Sequence, residues 1–280
     1  YFPGKCNPPS DANAVYSVQI NASQTNAWGY EVLFQTDPAR RPTGAYLAPG
    51  SIATVTVPAA LVDQGFTILV GAHTYDKGSD NYLKDKYERL DQVTVRYAIT
   101  STNTIIANPL GGGIYIEVPY GKDMGLVTVQ FKNTVRSPFF SKTIARHTTL
   151  AEWQNTERHY PGPWADFESD KCMFNIPTDW IYAFDDPVTM MKNWDMAMDA
   201  ISDLQGLPLI RPKTILYGQV DTSFKTGAGS PGYPQDNDNW NPHISKNGDN
   251  TGHHYLYGPK FADSLHLHEL GHGISISKFA

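Results

Sequence analysis

The sequence predicts an α+β chain, a β-sandwich followed by a mixed α/β part, and three observations predict it. Short runs of alternating apolar and polar residues, separated by glycine and proline turns, recur as far as about Val135. After about Ser137 that period-two pattern gives way to helical spacing with capping signals. The 280 residues include 20 prolines and 23 glycines and only 18% charged side chains, a composition suited to a loop-rich, largely β protein. With 40% apolar and 12% aromatic residues the chain can bury a proper core, as one large domain or two ordinary ones. The division read from these shifts is a tail or linker over 1–24, a β-sandwich over 25–136 and a second unit over 137–280.

Each element follows from its residues. Pro3, Pro8 and Pro9 mark the tail, with one short strand at Ala14 to Ile20. Tyr30 to Phe34 is a short apolar strand. Thr43 to Ala48 runs into the Pro49-Gly50 turn signal, and Ile52 to Val57 alternates Ala53, Val55 and Val57 with threonines. Phe66 to Val70 is a continuous apolar run, as expected of a strand covered on both sides. Val93, Val95, Tyr97 and Ile99 alternate, as do Ile114, Ile116 and Val118, and Val127, Val129 and Phe131 close the series. Gly111-Gly112-Gly113 invites comparison with a phosphate loop. No helix and no Lys-Ser or Lys-Thr pair follows, so a tight turn or close backbone approach is the better reading.

In the second unit, Thr149-Leu150-Ala151-Glu152 fits a capping box and opens a helix running to about Arg158. His159 to Pro163 is a turn, and Phe174 to Ile176 a strand ended by Pro177. Asp186-Pro187 opens a helix that runs to Leu204 and stops at Gly206. Its apolar stripe is Met190, Met191, Trp194, Met198, Ile201 and Leu204, read as core. A strand over Thr214 to Tyr217 follows, and then a long polar and aromatic stretch from Asp221 to Pro259. Asp236-Asn237-Asp238-Asn239 resembles the start of a calcium loop but lacks the glycine and the distal glutamate.

Charge and cysteines bound the function. The formal charge of −6 has no acidic or basic block, which argues against nucleic acid as the main partner. No run of eighteen apolar residues is present, so no membrane span is expected. Cys6 and Cys172 permit one disulfide, with two unrelated buried thiols as the alternative. Asn21-Ala22-Ser23 fits the N-glycosylation pattern. Together these lean towards a secreted, extracellular protein.

The chemistry sits near the end of the chain. His268-Glu269-Leu270-Gly271-His272 fits His-Glu-x-x-His. On a helix, residues four apart share a face, so His268 and His272 can both offer imidazole to one zinc ion. Glu269 is then placed to take a proton from a zinc-bound water rather than to bind the metal. Leu267, Leu270 and Ile274 give the helix an apolar face, and Asp263 or Ser264 can cap it. A catalytic zinc usually has three protein ligands. Nothing from Gly273 to Ala280 ligates zinc well, so the third ligand is expected upstream or beyond Ala280 in a longer protein.

With these residues in view, the chain resembles the enhancin-like, mucin-directed zinc metallopeptidases. The stretches that carry the resemblance are Thr43 to Pro58, Leu110 to Pro119, Trp153 to Phe167, Asp186 to Gly206, Gly232-Tyr233-Pro234 and His268 to His272. The resemblance implies a β-sandwich leading into a mixed α/β, zincin-type catalytic part. It implies zinc held by His268 and His272, with Glu269 as general base and later acid. It implies an endopeptidase acting on extracellular, O-glycosylated glycoproteins of mucin type. Tyr233, Trp240 and His253 are then candidates to line the substrate cleft, the aromatics by stacking on sugar rings. The departure is the missing distal glutamate of that family. The competing reading is a non-catalytic extracellular module that binds glycan or protein on a peptidase scaffold.

Overall fold

The computed structural model describes residues 2–25, 37–74, 89–90, 92–206, 209, 217–221, 229–230, 235–237 and 254–259. Among the described residues the N-terminal unit contains nine strands: β1 (Val15–Asn21), β2 (Ala39–Leu47), β3 (Ile52–Thr56), β4 (Thr67–Val70), β5 (Val95–Ala98), β6 (Asn103–Ala107), β7 (Gly112–Val118), β8 (Leu126–Lys132) and β9 (Val135–Arg136). They form a four-stranded sheet, ordered β1-β8-β3-β6, and a five-stranded sheet, ordered β5-β4-β7-β2-β9. Their pairings are antiparallel throughout. The alternation read from the sequence is the reason for two layers. Val18 and Ile20, Ala53 and Val55, and Val129 and Phe131 turn inward from one sheet. Ile68 and Val70, and Ile114, Ile116 and Val118, meet them from the other.

The rest of the chain gives β10 (Phe139–Lys142), α1 (Leu150–Asn155), β11 (Trp164–Ser169), β12 (Met173–Pro177), α2 (Pro187–Leu204), β13 (Tyr217–Val220), β14 (Gly229–Ser230), β15 (Gln235–Asn237) and α3 (His254–Tyr257). Its strands make a mixed sheet ordered β10-β11-β12-β13-β15-β14. The five-stranded sheet lies between the other two, which explains why every residue of β2 is buried. Tyr46 of β2 joins the core of the mixed sheet, while its neighbours Ala45 and Leu47 join the core of the sandwich. On its far face the mixed sheet carries α2, through Phe167, Phe174, Ile176 and Val220 against Met190, Met191, Trp194 and Met198.

Local signals work as their chemistry requires. Thr149 and Glu152 make the full reciprocal capping box, and the helix it opens ends at Asn155, with a 3-10 turn over Glu157–His159. Asp186 accepts from the Thr189 N–H at 2.9 Å, with Pro187 in the first turn. The glycine run is a close backbone approach. A Cβ at Gly111 would stand 2.4 Å from the Leu47 carbonyl oxygen, and one at Gly112 2.6 Å from Gly71 Cα.

Several expectations need correction. Residues 2–24 are no loose tail. β1 pairs with β8 along its whole length, Pro3 is buried, and its carbonyl accepts from Trp164 Nε1 at 2.5 Å. Leu204, placed in the core stripe, is 88% exposed, because the last turn of α2 runs past the sheet that covers the rest. β6, β10 and β11 went unread. The strand expected at Tyr30 to Phe34 and most of the one at Thr214 to Tyr217 lie outside the described residues.

Candidate functional site

His268, Glu269 and His272 lie outside the described residues, as do Tyr233, Trp240 and His253. Among the described residues no group of three or more His, Cys, Asp or Glu side chains could hold a metal ion. What the structure places is the frame before that motif.

The nearest placed element upstream is α3, and aromatic packing fixes it. Tyr255 and Leu256 are buried in the core of the mixed sheet. Phe174, Trp194 and Tyr255 form a triangle with ring centroids 5.0, 4.9 and 6.2 Å apart. Trp194 Nε1 donates to the Tyr255 carbonyl at 2.9 Å, tying α2 to α3. Gly218 of β13 makes room for this, since a Cβ there would stand 2.7 Å from the Tyr255 ring. The methionine- and tryptophan-rich stripe of α2 is therefore core, and it is the surface on which α3 is seated.

Between the five-stranded sheet and the mixed sheet lies a buried polar row. Asp166, Asn175 and Gln219 are register partners across β11, β12 and β13, and Gln219 is in register with Asp236 of β15. Register partners on neighbouring strands face the same way, so Asp166, Asn175 and Gln219 share the face towards β7. The Tyr115 hydroxyl donates to Asp166 Oδ1 at 2.9 Å, and Asn175 Nδ2 donates to the same oxygen at 2.9 Å. Gln219 Nε2 donates to Asn175 Oδ1 at 3.3 Å. Burial pushes the Asp166 carboxyl up to about 7, and the donors from Asn175 and Tyr115 recover only part of that cost.

A second polar group closes the C-terminal end of β13. Arg89 Nε and Nη2 donate to the two oxygens of Asp221 at 2.9 and 2.7 Å, with both side chains fully buried. His73 Nε2 donates to the Val220 carbonyl at 3.0 Å, which leaves Nδ1 as the unprotonated nitrogen, buried and without a partner among the described residues. Burial lowers His73 to about 4, against the pull of Asp221. The His73 ring packs against Phe2, 4.5 Å away, and Trp164, 4.4 Å away, which also touch each other at 5.8 Å. In open sheets with parallel strands, ligands bind beyond the strands' carboxyl ends. β12, β13 and β15 run parallel, so Asp221 stands at that end of the sheet. The pairing of these polar residues is not read from the sequence. Their one signal is a polar residue recurring every second position in a strand that is otherwise apolar, as in Trp164-Ala165-Asp166-Phe167-Glu168.

The remaining candidates are placed. Cys6 and Cys172 are both free, so the disulfide is not formed. Cys172 Sγ instead lies 3.4 Å from the Ser169 hydroxyl and 3.9 Å from an Asp195 oxygen. Burial pushes Cys6 up to about 11 and Cys172 well above its ordinary value, which keeps both as thiols. Asn21 closes β1 in an Asx turn, its Oδ1 accepting from the Ser23 N–H at 3.0 Å. The Ser23 hydroxyl donates to Asp123 at 2.9 Å and accepts from the Met124 and Gly125 N–H groups.

Comparison with known proteins decides the family. Residues 9–132 match the N-terminal domain of M60-like peptidases, and residues 133–275 match peptidase M60, enhancin and enhancin-like. The chain belongs to the M60, enhancin-like peptidase family. A TRPM8 channel-associated factor homolog of Xenopus laevis is 31% identical over 198 residues, covering 70% of this chain and 21% of that protein. TRPM8 channel-associated factor 2 of Bos taurus is 28% identical over 222 residues, 78% of this chain and 22% of its own. The chain thus spans about a fifth of the length of these relatives. Among solved structures, the ZmpB metallopeptidase of Clostridium perfringens has a TM-score of 0.60 at 12% identity, over 94% of this chain and 54% of that one. IMPa of Pseudomonas aeruginosa, in complex with an O-glycopeptide, has 0.57 at 15%, over 82% of this chain and 28% of that one. At these identities the likeness concerns the fold, an α+β catalytic module behind a β-rich N-terminal domain.

Proposed function

We propose that this chain is part of a zinc-dependent endopeptidase acting on extracellular, O-glycosylated glycoproteins of mucin type. The observation that carries the reading is His268-Glu269-x-x-His272 inside the segment that matches the M60 peptidases. His268 and His272 would hold zinc, whose Lewis acidity would polarise a peptide carbonyl. Glu269 accepts the proton of the attacking water and later returns it to the leaving amine. Tyr233, Trp240 and His253 are assigned to the walls of the substrate cleft. IMPa, a relative in fold, has been solved with an O-glycopeptide, which supports this substrate class. A secreted location accords with it.

The test is Glu269→Gln in the full-length protein, assayed on an O-glycosylated glycoprotein with zinc measured on the same sample. Zinc content is expected to hold while activity falls by ~100- to 10,000-fold. Undiminished cleavage would sink the assignment.

A second reading has its own observation. The curated relatives are named for association with the channel TRPM8. On that reading the peptidase scaffold serves as a protein-binding module without catalysis. It predicts partner capture that survives chelation of zinc and the Glu269→Gln change, with no cleavage by either form.

A further inference from the structure

We propose that a preformed groove between the N-terminal segment and the turn before β11 binds an extended, proline-containing polypeptide segment in polyproline II form. Two adjoining cavities of about 340 and 610 Å³ share Tyr160 and Pro161 as a common wall. Together they run along residues 3–10, and none of their lining residues belongs to the 268–272 motif.

The walls are rigid before any ligand arrives. Trp164 Nε1 and the Tyr46 hydroxyl hold the Pro3 and Gly4 carbonyls at 2.5 and 3.2 Å. Opposite them, the Gly162 N–H donates to the Arg136 carbonyl at 3.0 Å, and the Thr178 hydroxyl donates to the Gly162 carbonyl at 2.6 Å. The Tyr160 ring is backed by the Arg136 guanidinium at 4.3 Å, which itself lies 3.8 Å from the Tyr16 ring. A preorganised site of this kind spends little on ordering itself.

The chemistry of the walls selects the occupant. Pro3, Pro8 and Pro9 on one side and Pro161 and Pro163 on the other have no N–H, so both walls are poor in the backbone donors that an incoming β-strand would need. A polyproline II segment suits such a groove, because its backbone makes no internal hydrogen bonds and its ring faces lie against aromatic and proline surfaces. Tyr182 offers such a surface at the groove's end, 57% exposed, with its hydroxyl bonded to Asp179. Lys5 and Asp179 line the same cavity with opposite charges, which favours an uncharged segment over an anion or a cation. This inference goes beyond the peptidase reading and stands if that reading fails. Segments rich in Ser, Thr and Pro are also the composition of O-glycosylated stalks.

The experiment is calorimetric titration of the full-length Glu269→Gln protein, which removes cleavage from the readout, with a synthetic peptide of repeated Pro-Thr-Pro units. Saturable binding is expected, about ten-fold weaker in a Tyr182→Ala background with an unchanged thermal midpoint. The same peptide with its prolines replaced by alanine should bind more weakly, a comparison that needs no change to the protein. Absence of saturable binding, equal affinity in the Tyr182→Ala protein, or equal affinity for the proline-free peptide would each overturn the proposal. Peptidase activity of the native chain is a separate measurement, so the two readings fail separately.

Discussion

Asp166 is the residue whose replacement tests the buried polar row most directly. Burial raises its carboxyl from 3.8 to about 7 in the folded protein. Between those values the folded chain holds a proton that the unfolded chain has released, so stability falls as pH rises through the window. The loss is complete only above about 7. At 1.36 kcal/mol for each pH unit, the raised carboxyl removes about 1.6 kcal/mol of stability by pH 5, where it is still protonated in the folded chain, and about 4 kcal/mol by pH 8. Replacing it with asparagine removes the titration and keeps the shape. An asparagine Oδ1 can still accept from the Tyr115 hydroxyl and from Asn175 Nδ2, both of which now donate to Asp166 Oδ1.

The assay is urea unfolding of the native and Asp166→Asn proteins at pH 5 and pH 8. Other titrating groups are common to both proteins, so the difference of differences isolates Asp166. The native protein should lose about 3 kcal/mol more than the variant between the two pH values. Equal losses would refute the reasoning and would mean that Asp166 is ionised and well solvated in the native state.

Further outcomes follow from other contacts. Asp221→Asn leaves Arg89 buried without its carboxylate and should cost about 3–5 kcal/mol, whereas an apolar pair at both positions should recover most of it; denaturant melts of the single and double variants decide this. Thr149→Ala breaks the capping box and should lower stability by about 1 kcal/mol, seen as a small drop in thermal midpoint. Gly112→Ala would put a Cβ 2.6 Å from Gly71 Cα, so a loss of about 1–3 kcal/mol is expected, again by thermal melting.

What could be read from the sequence is what depends on neighbours along the chain. The capping box at Thr149, the Asp186-Pro187 helix start and the alternation of Ile114, Ile116 and Val118 are local signals, and each stands where it was placed. The His268-Glu269-x-x-His272 spacing is a local signal of the same kind, and it lies outside the described residues. What was missed depends on distant partners. β11 reads as a mixture of aromatic and acidic residues because one of its faces is covered by α2 and the other by a polar row. Asp166 meets Tyr115 from a strand fifty-one positions earlier, and Asp221 meets Arg89 across a sequence separation of 132. The tail was misjudged because its prolines suggest a linker, whereas Tyr46 and Trp164 supply donors that fix its carbonyls.

The polar contacts between the N-terminal unit and the mixed sheet make one physical argument about how the candidate site is held. An apolar seam would let two layers slide at little cost, because the hydrophobic effect has no direction. A seam of buried hydrogen bonds and a buried ion pair tolerates one register only, since any slip leaves a polar group unsatisfied at about 1–3 kcal/mol each. Here the seam grips β13 from both ends. Arg40 lies 5.3 Å over the Tyr217 ring at its start, and His73 and Arg89 hold Val220 and Asp221 at its finish. Gly218 in the middle of the same strand receives Tyr255 on the opposite face, and Tyr255 seats α3 ahead of His268. The N-terminal domain is therefore positioned to set the register of the strand against which α3 is packed. That is a mechanical reason for the two family segments to occur in one chain.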